Sequence, residues 1–144
     1  MTQLPILQAK ELLLKCGIDQ SLNEWRPLTG LDNKVFDALF LEPVYRFAEA
    51  VQLAPASESH HHSGPGGLLK HTHDMITLAL KKRRGYQLPL GGSITDINDQ
   101  RHLWTYGVFA ACLLHDIGKL SSSILLIVTH KDGIEKRWTP HDEP

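Results

Sequence analysis

The stretch Val108-Phe109-Ala110-Ala111-Cys112-Leu113-Leu114 runs directly into His115-Asp116, and Ile117-Gly118-Lys119 follows. Seven consecutive apolar residues must find a core, so the run predicts a buried segment. An ionised carboxylate at the end of such a segment costs several kcal/mol unless it is paired or bound to a cation. Two arrangements meet that requirement. A divalent ion would satisfy the imidazole and the carboxylate together. A hydrogen-bonded His-Asp pair closing a helix would satisfy them without one.

The rest of the chain sets the frame for that choice. Its 144 residues favour one compact domain with a genuine core. A formal net charge of -1 excludes a global basic field for nucleic acid, so any such contact has to be local. Cys16 and Cys112 lie far apart and lack metal-knuckle spacing, which fits a reducing compartment and no disulfide scaffold. Met1-Thr2-Gln3-Leu4-Pro5 does not read as a signal peptide, and no run approaches the roughly 20 apolar residues of a membrane span. A soluble, cytoplasmic protein is expected, with no membrane partner.

Histidine is over-represented, with nine in the chain. Five of them, His60, His61, His62, His71 and His73, fall between positions 60 and 73.

Residues 4–16 read as a helix stopped by Gly17, and residues 18–30 as a connector holding Pro27 and Gly30. Asp32 is a good N-cap for a second helix that carries Val35, Phe36, Leu39, Phe40, Tyr45, Phe47, Ala48 and Val51. Pro43 should kink or divide that helix. Residues 56–67 form a Gly/Pro-punctuated loop. A helix then runs from about Gly67 to Arg84, and its basic end, Lys81-Lys82-Arg83-Arg84, suits the negative pole of the helix dipole. Residues 85–98 read as a loop, and the helix ending at His115-Asp116 should begin near Asp99. Ile124 to Val128 and Ile134 to Trp138 predict a hairpin around the Lys131-Asp132-Gly133 turn. The class is mainly α with a C-terminal β-hairpin. The chain divides into leading helices (1–55), histidine-bearing motifs (56–120), and a hairpin with its tail (121–144).

On the Gly67 helix, His71 and Met75 share a face, so His71 should point toward the core. His73 lies about 200° around the helix and should be exposed. Successive histidines at 60, 61 and 62 point in different directions, so one or two of them can reach a single ion. The Lys81–Arg84 cluster is either a local phosphate contact or a solvated helix end. Cys112 belongs to the core.

Taken jointly, a histidine on one helix and Leu113-Leu114-His115-Asp116-Ile117-Gly118-Lys119 on a later one resemble the HD superfamily of metal-dependent phosphohydrolases. The segment from His60 through Gly66-Gly67-Leu68-Leu69-Lys70-His71-Thr72 is similar to the N-terminal domain of MobH-class conjugative relaxases, TraI-like proteins described as helicases. The likeness reaches back through Pro43, Tyr45, Ala48 and the Leu53–Glu58 stretch, and forward to Asp132-Gly133 and Trp138-Thr139-Pro140. A weaker likeness runs to HD-type 3′-5′ exoribonucleases.

The resemblance implies a helical-bundle core, here partial, with a divalent metal (Mn, Fe, Mg or Zn) held by His71, His115 and Asp116. His62 would be a further ligand. His61, His62 and Lys119 would take catalytic roles, and Lys81, Lys82, Arg83 and Arg84 would contact DNA, a single strand or a transfer origin. The implied reaction is metal-dependent nicking of one DNA strand during conjugative transfer of a mobile element. An HD-type nucleotide or RNA phosphodiesterase is the alternative, and a non-catalytic DNA- or partner-binding fragment is another. HD enzymes also place an aspartate ligand on a helix well downstream of the dyad. Asp132 lies in a turn and Asp142 near the terminus, so a shortened domain, with apolar surface favouring self-association, is expected.

Overall fold

The computed structural model describes residues 4–57, 61–122 and 126–138. Helix α1 (Ala9–Cys16) begins five residues later than the apolar spacing predicts, because its start is a reciprocal cap. The Gln8 N–H donates to Glu11 Oε2 at 3.2 Å, and the Gln8 side chain accepts from the Glu11 backbone. Gly17, in the left-handed region, ends the helix as expected.

The expected connector contains a 3-10 turn (Ser21–Glu24) and a short helix, α2 (Trp25–Thr29). Pieces this short carry no readable 3.6-residue period. Pro27 does not break α2, because it sits in the first turn, where its missing N–H has no acceptor to lose.

Asp32 caps α3 (Asn33–Phe36), its Oδ1 accepting from the Lys34 and Val35 N–H groups at 3.0 and 3.1 Å. A wide turn of i→i+5 type (Asp37–Leu41) follows and merges into α4 (Glu42–Val51). The division expected at Pro43 takes this form: the helix widens just ahead of the proline, which then occupies the first turn of α4.

Two long helices complete the body, α5 (Gly67–Arg83) and α6 (Ile94–Leu114). Helix α6 starts at Ile94, ahead of the expected Asp99. Ser93 and Asp96 form a capping box, with Asp96 N–H donating to Ser93 Oγ and Ser93 N–H to Asp96 Oδ2, both at 3.1 Å. That cap holds a run of poor helix formers, Ile94-Thr95-Asp96-Ile97-Asn98, in the helix. A last turn, α7 (Lys119–Ser122), follows the His-Asp pair.

The hairpin forms as expected; Ile124 and Leu125 of its expected first strand lie outside the described residues, and the strands end and begin one residue later, at Thr129 and Glu135. β1 (Leu126–Thr129) pairs antiparallel with β2 (Glu135–Trp138), in the register Leu126↔Trp138 to Thr129↔Glu135. Thr139, Pro140 and Asp142 lie outside the described residues, as does His60.

One core joins α1, α4, α5 and α6. Leu12, Trp25, Phe36, Phe40, Leu68, Ile76, Leu80 and Phe109 are its most buried members. Phe40 bridges the halves, stacking on Phe36 (centroids 5.3 Å apart) and meeting Phe109 at 4.4 Å. The α5–α6 pair runs antiparallel, since His71 meets His115 at one end and Arg83 meets Arg101 at the other.

The apolar run that leads into the dyad is only half buried. Phe109 and Leu113 enter the core, whereas Leu114 and Ala111 face outward with Leu103 and Gly107 on one stripe of α6. A helix covered by the core on a single side buries the residues of one stripe and leaves the opposite one outside, however apolar the run. No helix among the described residues is long and apolar enough to cross a membrane.

Candidate metal centre

The site is built from three chain segments that meet at one end of the α5–α6 pair. The first is the loop before α5. His62 adopts a left-handed backbone (φ 65°), and its carbonyl accepts from the Ala56 N–H at 3.0 Å. Gly67, the first residue of α5, packs so close to that carbonyl that a Cβ there would overlap the His62 oxygen. Glycine at 67 is therefore a steric requirement of this loop. The second segment is α5, which carries His71 one turn in. The third is the turn at the end of α6, where Leu114, His115 and Asp116 lead into α7.

His71, His115 and Asp116 offer donor atoms that all lie within 4.8 Å of one another. His115 Nε2 is 3.3 Å from His71 Nε2 and 3.2 Å from Asp116 Oδ2, and His71 Nε2 is 3.6 Å from the same oxygen. The tautomer of His115 follows from its other nitrogen. Nδ1 lies 2.7 Å from the Cys112 carbonyl oxygen, which can only accept, so Nδ1 carries a proton, and in the neutral imidazole Nε2 is the nitrogen that presents a lone pair to the cluster. Lys119 closes the turn, donating from Nζ to Asp116 Oδ2 at 2.6 Å and to the Ala56 carbonyl at 3.1 Å. Ala56 thus links the histidine loop, through its N–H, to the His-Asp turn, through its carbonyl.

The electrostatics follow from these neighbours. Partial burial holds the His71 imidazole below its ordinary range; Asp116 opposes that, while His115, His62 and Lys119 reinforce it. Burial pushes the Asp116 carboxyl up, but the Lys119 hydrogen bond and the charges of His115, Lys119 and His71 outweigh it, leaving the group below the usual carboxylate range. At neutral pH the cluster thus presents a neutral His71 and an ionised Asp116, the ligand-ready forms. Donors bound at about 2.1 Å around a tetrahedral ion sit about 3.4 Å apart. The observed separations of 3.2 to 3.6 Å match that spacing. The residues fit a metal ion.

The expected faces of α5 are exchanged. His73, not His71, is buried: its ring stacks on Trp25 at 5.5 Å, and Nε2 lies 2.8 Å from Ser21 Oγ. His71 stays partly exposed, as does Met75. The stripe facing the core is Leu69, Thr72, His73, Ile76 and Leu80, because α2 presents Trp25 to it. Ser21, His73 and Asp74 are connected in the order of a hydrolase triad. However, Ser21 gives its proton to the Ile18 carbonyl at 2.8 Å, so no nucleophile is poised there.

His62 lies beside the cluster, its ring 5.9 Å from that of His71, while His61 is exposed on the loop. Cys16 is buried and Cys112 half-buried; burial raises both thiols, so neither is an activated nucleophile.

The basic cluster is split. Lys81, Lys82 and Arg84 are exposed, Lys81 lying 3.9 Å from Glu24. Arg83 is buried, donating to the Tyr86 carbonyl at 2.7 Å and the Arg101 carbonyl at 3.3 Å. Four consecutive residues on a helix cover all its sides, so one of the four had to face α6. Residues not anticipated as part of the site are Ala56 and Asp74. Ala56 acts through its backbone and leaves no sequence signal, whereas Asp74 sits in the readable string His71-Thr72-His73-Asp74.

No curated relative and no solved structure matches the chain. A family model does match, over residues 7–144, and its description is "Putative helicase". The match takes in the histidine loop, the His71 helix, the His115-Asp116 turn and the hairpin, and on that extent the chain belongs to the TraI_2 family.

Proposed function

We propose that this chain carries a metal-dependent phosphodiester-cleaving centre that nicks DNA; TraI_2 membership supports the setting, conjugative transfer, and the cleavage is the proposal. The observation that carries the reading is the convergence of His71 Nε2, His115 Nε2 and Asp116 Oδ2 at ligand spacing. Two imidazoles and a carboxylate suit Mn, Fe or Zn better than Mg, which prefers oxygen ligands. When bound, such an ion polarises a phosphoryl oxygen and lowers the pKa of a coordinated water.

The chain's own residues supply the rest. The Cys112 carbonyl keeps His115 in the tautomer that presents Nε2. Lys119 donates to the Asp116 oxygen that a cation would take and also to the Ala56 carbonyl, so with a cation on Asp116 it would keep an anchor and could offer its ammonium to the substrate phosphate. His62, next to His71, is the candidate further ligand or general acid, with His61 behind it on the loop.

Lys82 is eleven residues from His71, which returns it to the same stripe of α5 about 16 Å away. At the axial rise of about 3.4 Å per base pair of duplex DNA, that separation corresponds to roughly five base pairs. Lys82, with Lys81 and Arg84, would hold the strand's phosphates while the scissile one meets the cluster.

Metal analysis of the purified protein, followed by nicking of supercoiled plasmid with Mn²⁺ or Mg²⁺, tests this. Wild type should bind metal and nick, and His115→Ala should do neither. Equal metal binding by the two, with no nicking, removes the catalytic reading. Hydrolysis of short RNA or nucleotides without nicking moves the activity to the HD-type phosphodiesterases. Salt-sensitive DNA binding that survives His71→Ala but is lost on neutralising Lys81, Lys82 and Arg84 indicates a binding fragment.

A further inference from the structure

We infer that Asp74 is a positioning residue: its carboxylate aims the His62 ring at the His71–His115–Asp116 cluster, and a buried chain through His73 and Ser21 holds that carboxylate in place. The inference rests on the metal-centre reading for its purpose, though not for its geometry.

Asp74 stands between two histidines. One oxygen lies 3.0 Å from His73 Nδ1, and the other 3.5 Å from His62 Nε2. The Asp74 side chain is 61% exposed, so alone it would sample several rotamers. His73 removes that freedom because it is itself fixed from every side. Its ring is stacked on Trp25, its Nε2 meets Ser21 Oγ, and Ser21 is tied to the Ile18 carbonyl. Trp25 is held in turn: its Nε1–H donates to Thr77 Oγ1 at 2.8 Å, and the Thr77 hydroxyl donates to the His73 carbonyl at 2.9 Å. The chain from Ile18 to Asp74 thus anchors an exposed carboxylate to the core.

The other end of the contact is equally constrained. The His62 backbone is locked by its left-handed conformation, by the Ala56 N–H and by the absence of a side chain at Gly67. What remains free is the orientation of the ring, and Asp74 acts on that. With Nε2 3.5 Å from Asp74, Nδ1 is the nitrogen left for the cluster, whose three converging donor atoms do not include His62. A carboxylate on one imidazole nitrogen fixes the tautomer and raises the basicity of the other nitrogen, as is usual around metal-bound histidines.

Calorimetric titration of the full chain with Mn²⁺ provides the first test. Asp74→Asn should weaken affinity about tenfold, and Asp74→Glu should recover most of it. His62→Ala should cost a similar factor, and the double variant should be no worse than His62→Ala alone, since both act through one ring. Ser21→Ala, far from the ion, should give a smaller loss in the same direction. Ring ¹H–¹⁵N spectra of the metal-free chain give the second test. Asp74→Asn should move the His62 resonances while the unfolding midpoint stays near wild type. Multiplying losses, unchanged Mn²⁺ affinity in Asp74→Asn, or unmoved His62 resonances would each overturn the inference. If Asp74→Asn matches wild type while His115→Ala abolishes binding, the metal centre stands and the inference alone falls. If wild type takes up no Mn²⁺, the metal-centre reading falls, and the metal-free spectra still decide whether Asp74 orients His62.

Discussion

The two ends of the α5–α6 pair handle buried polarity in opposite ways. At the far end, Arg83 donates from Nη1 and Nη2 to the Tyr86 and Arg101 carbonyls, both backbone acceptors, while its buried Nε meets no acceptor among the described residues. At the near end, His71 Nε2, His115 Nε2 and Asp116 Oδ2 face one another, and at least two of these atoms are acceptors. Donors matched to carbonyls describe an internal fastening. Acceptors turned toward each other describe a place for a cation, which Lys119 supplies in part. Within one pair of helices, the partner atoms separate a structural polar residue from the residues proposed to hold a metal, although burial alone would rank Arg83 first.

Changes at the two ends should separate stability from metal affinity, and four test that, from the largest effect to the smallest. Gly67→Ala forces a methyl into the His62 carbonyl, so it should destabilise the chain by about 3 kcal/mol and disturb the cluster with it, read by chemical denaturation. Asp116→Ala should reduce Mn²⁺ affinity by about 100-fold in a titration, while leaving the helical circular dichroism intact. Arg83→Ala should do the reverse. It removes two part-buried hydrogen bonds made by a buried side chain and costs about 2 kcal/mol of unfolding free energy with Mn²⁺ affinity unchanged. A loss of Mn²⁺ affinity in Arg83→Ala would erase the distinction between the ends.

The smallest effect concerns pH. The Ser93 hydrogen bonds hold the Asp96 carboxyl below its ordinary range. A carboxyl with a depressed folded-state pKa contributes stability above its unfolded value and loses it as pH falls through the folded one. The first turn of α6 should therefore loosen in acid below about pH 4. Ser93→Ala should flatten that dependence in hydrogen-exchange measurements.

Much of the fold was legible because its signals are local. Gly17 as a stop, Asp32 as a cap, the glycine-rich loop and the Asp132-Gly133 turn each depend on a few neighbouring residues. The α6 start was legible too, in Ser93-x-x-Asp96, but the weak propensity of the intervening residues masked it. The short turns between Ile18 and Gly30 were not, since one turn of helix has no period to read. Of the candidate site, His71, His115 and Asp116 could be singled out in the sequence. The side of α5 that each histidine faces could not, because apolar spacing put Met75 on the core face and left Trp25 out of account.

The sequence by itself determined the mainly helical class, the hairpin, and which residue types could meet a divalent ion. Those follow from periodicity, turn chemistry and the scarcity of carboxylates beside apolar runs, all of which act within a few residues. Only the tertiary structure decided that His73 faces the core while His71 faces the dyad. It alone sent Arg83 inward among its basic neighbours and made the Ala56 backbone join the histidine loop to Lys119. These outcomes depend on what packs opposite each side chain, and an aromatic ring or a carbonyl from a distant segment leaves no mark on the residues around the position it controls.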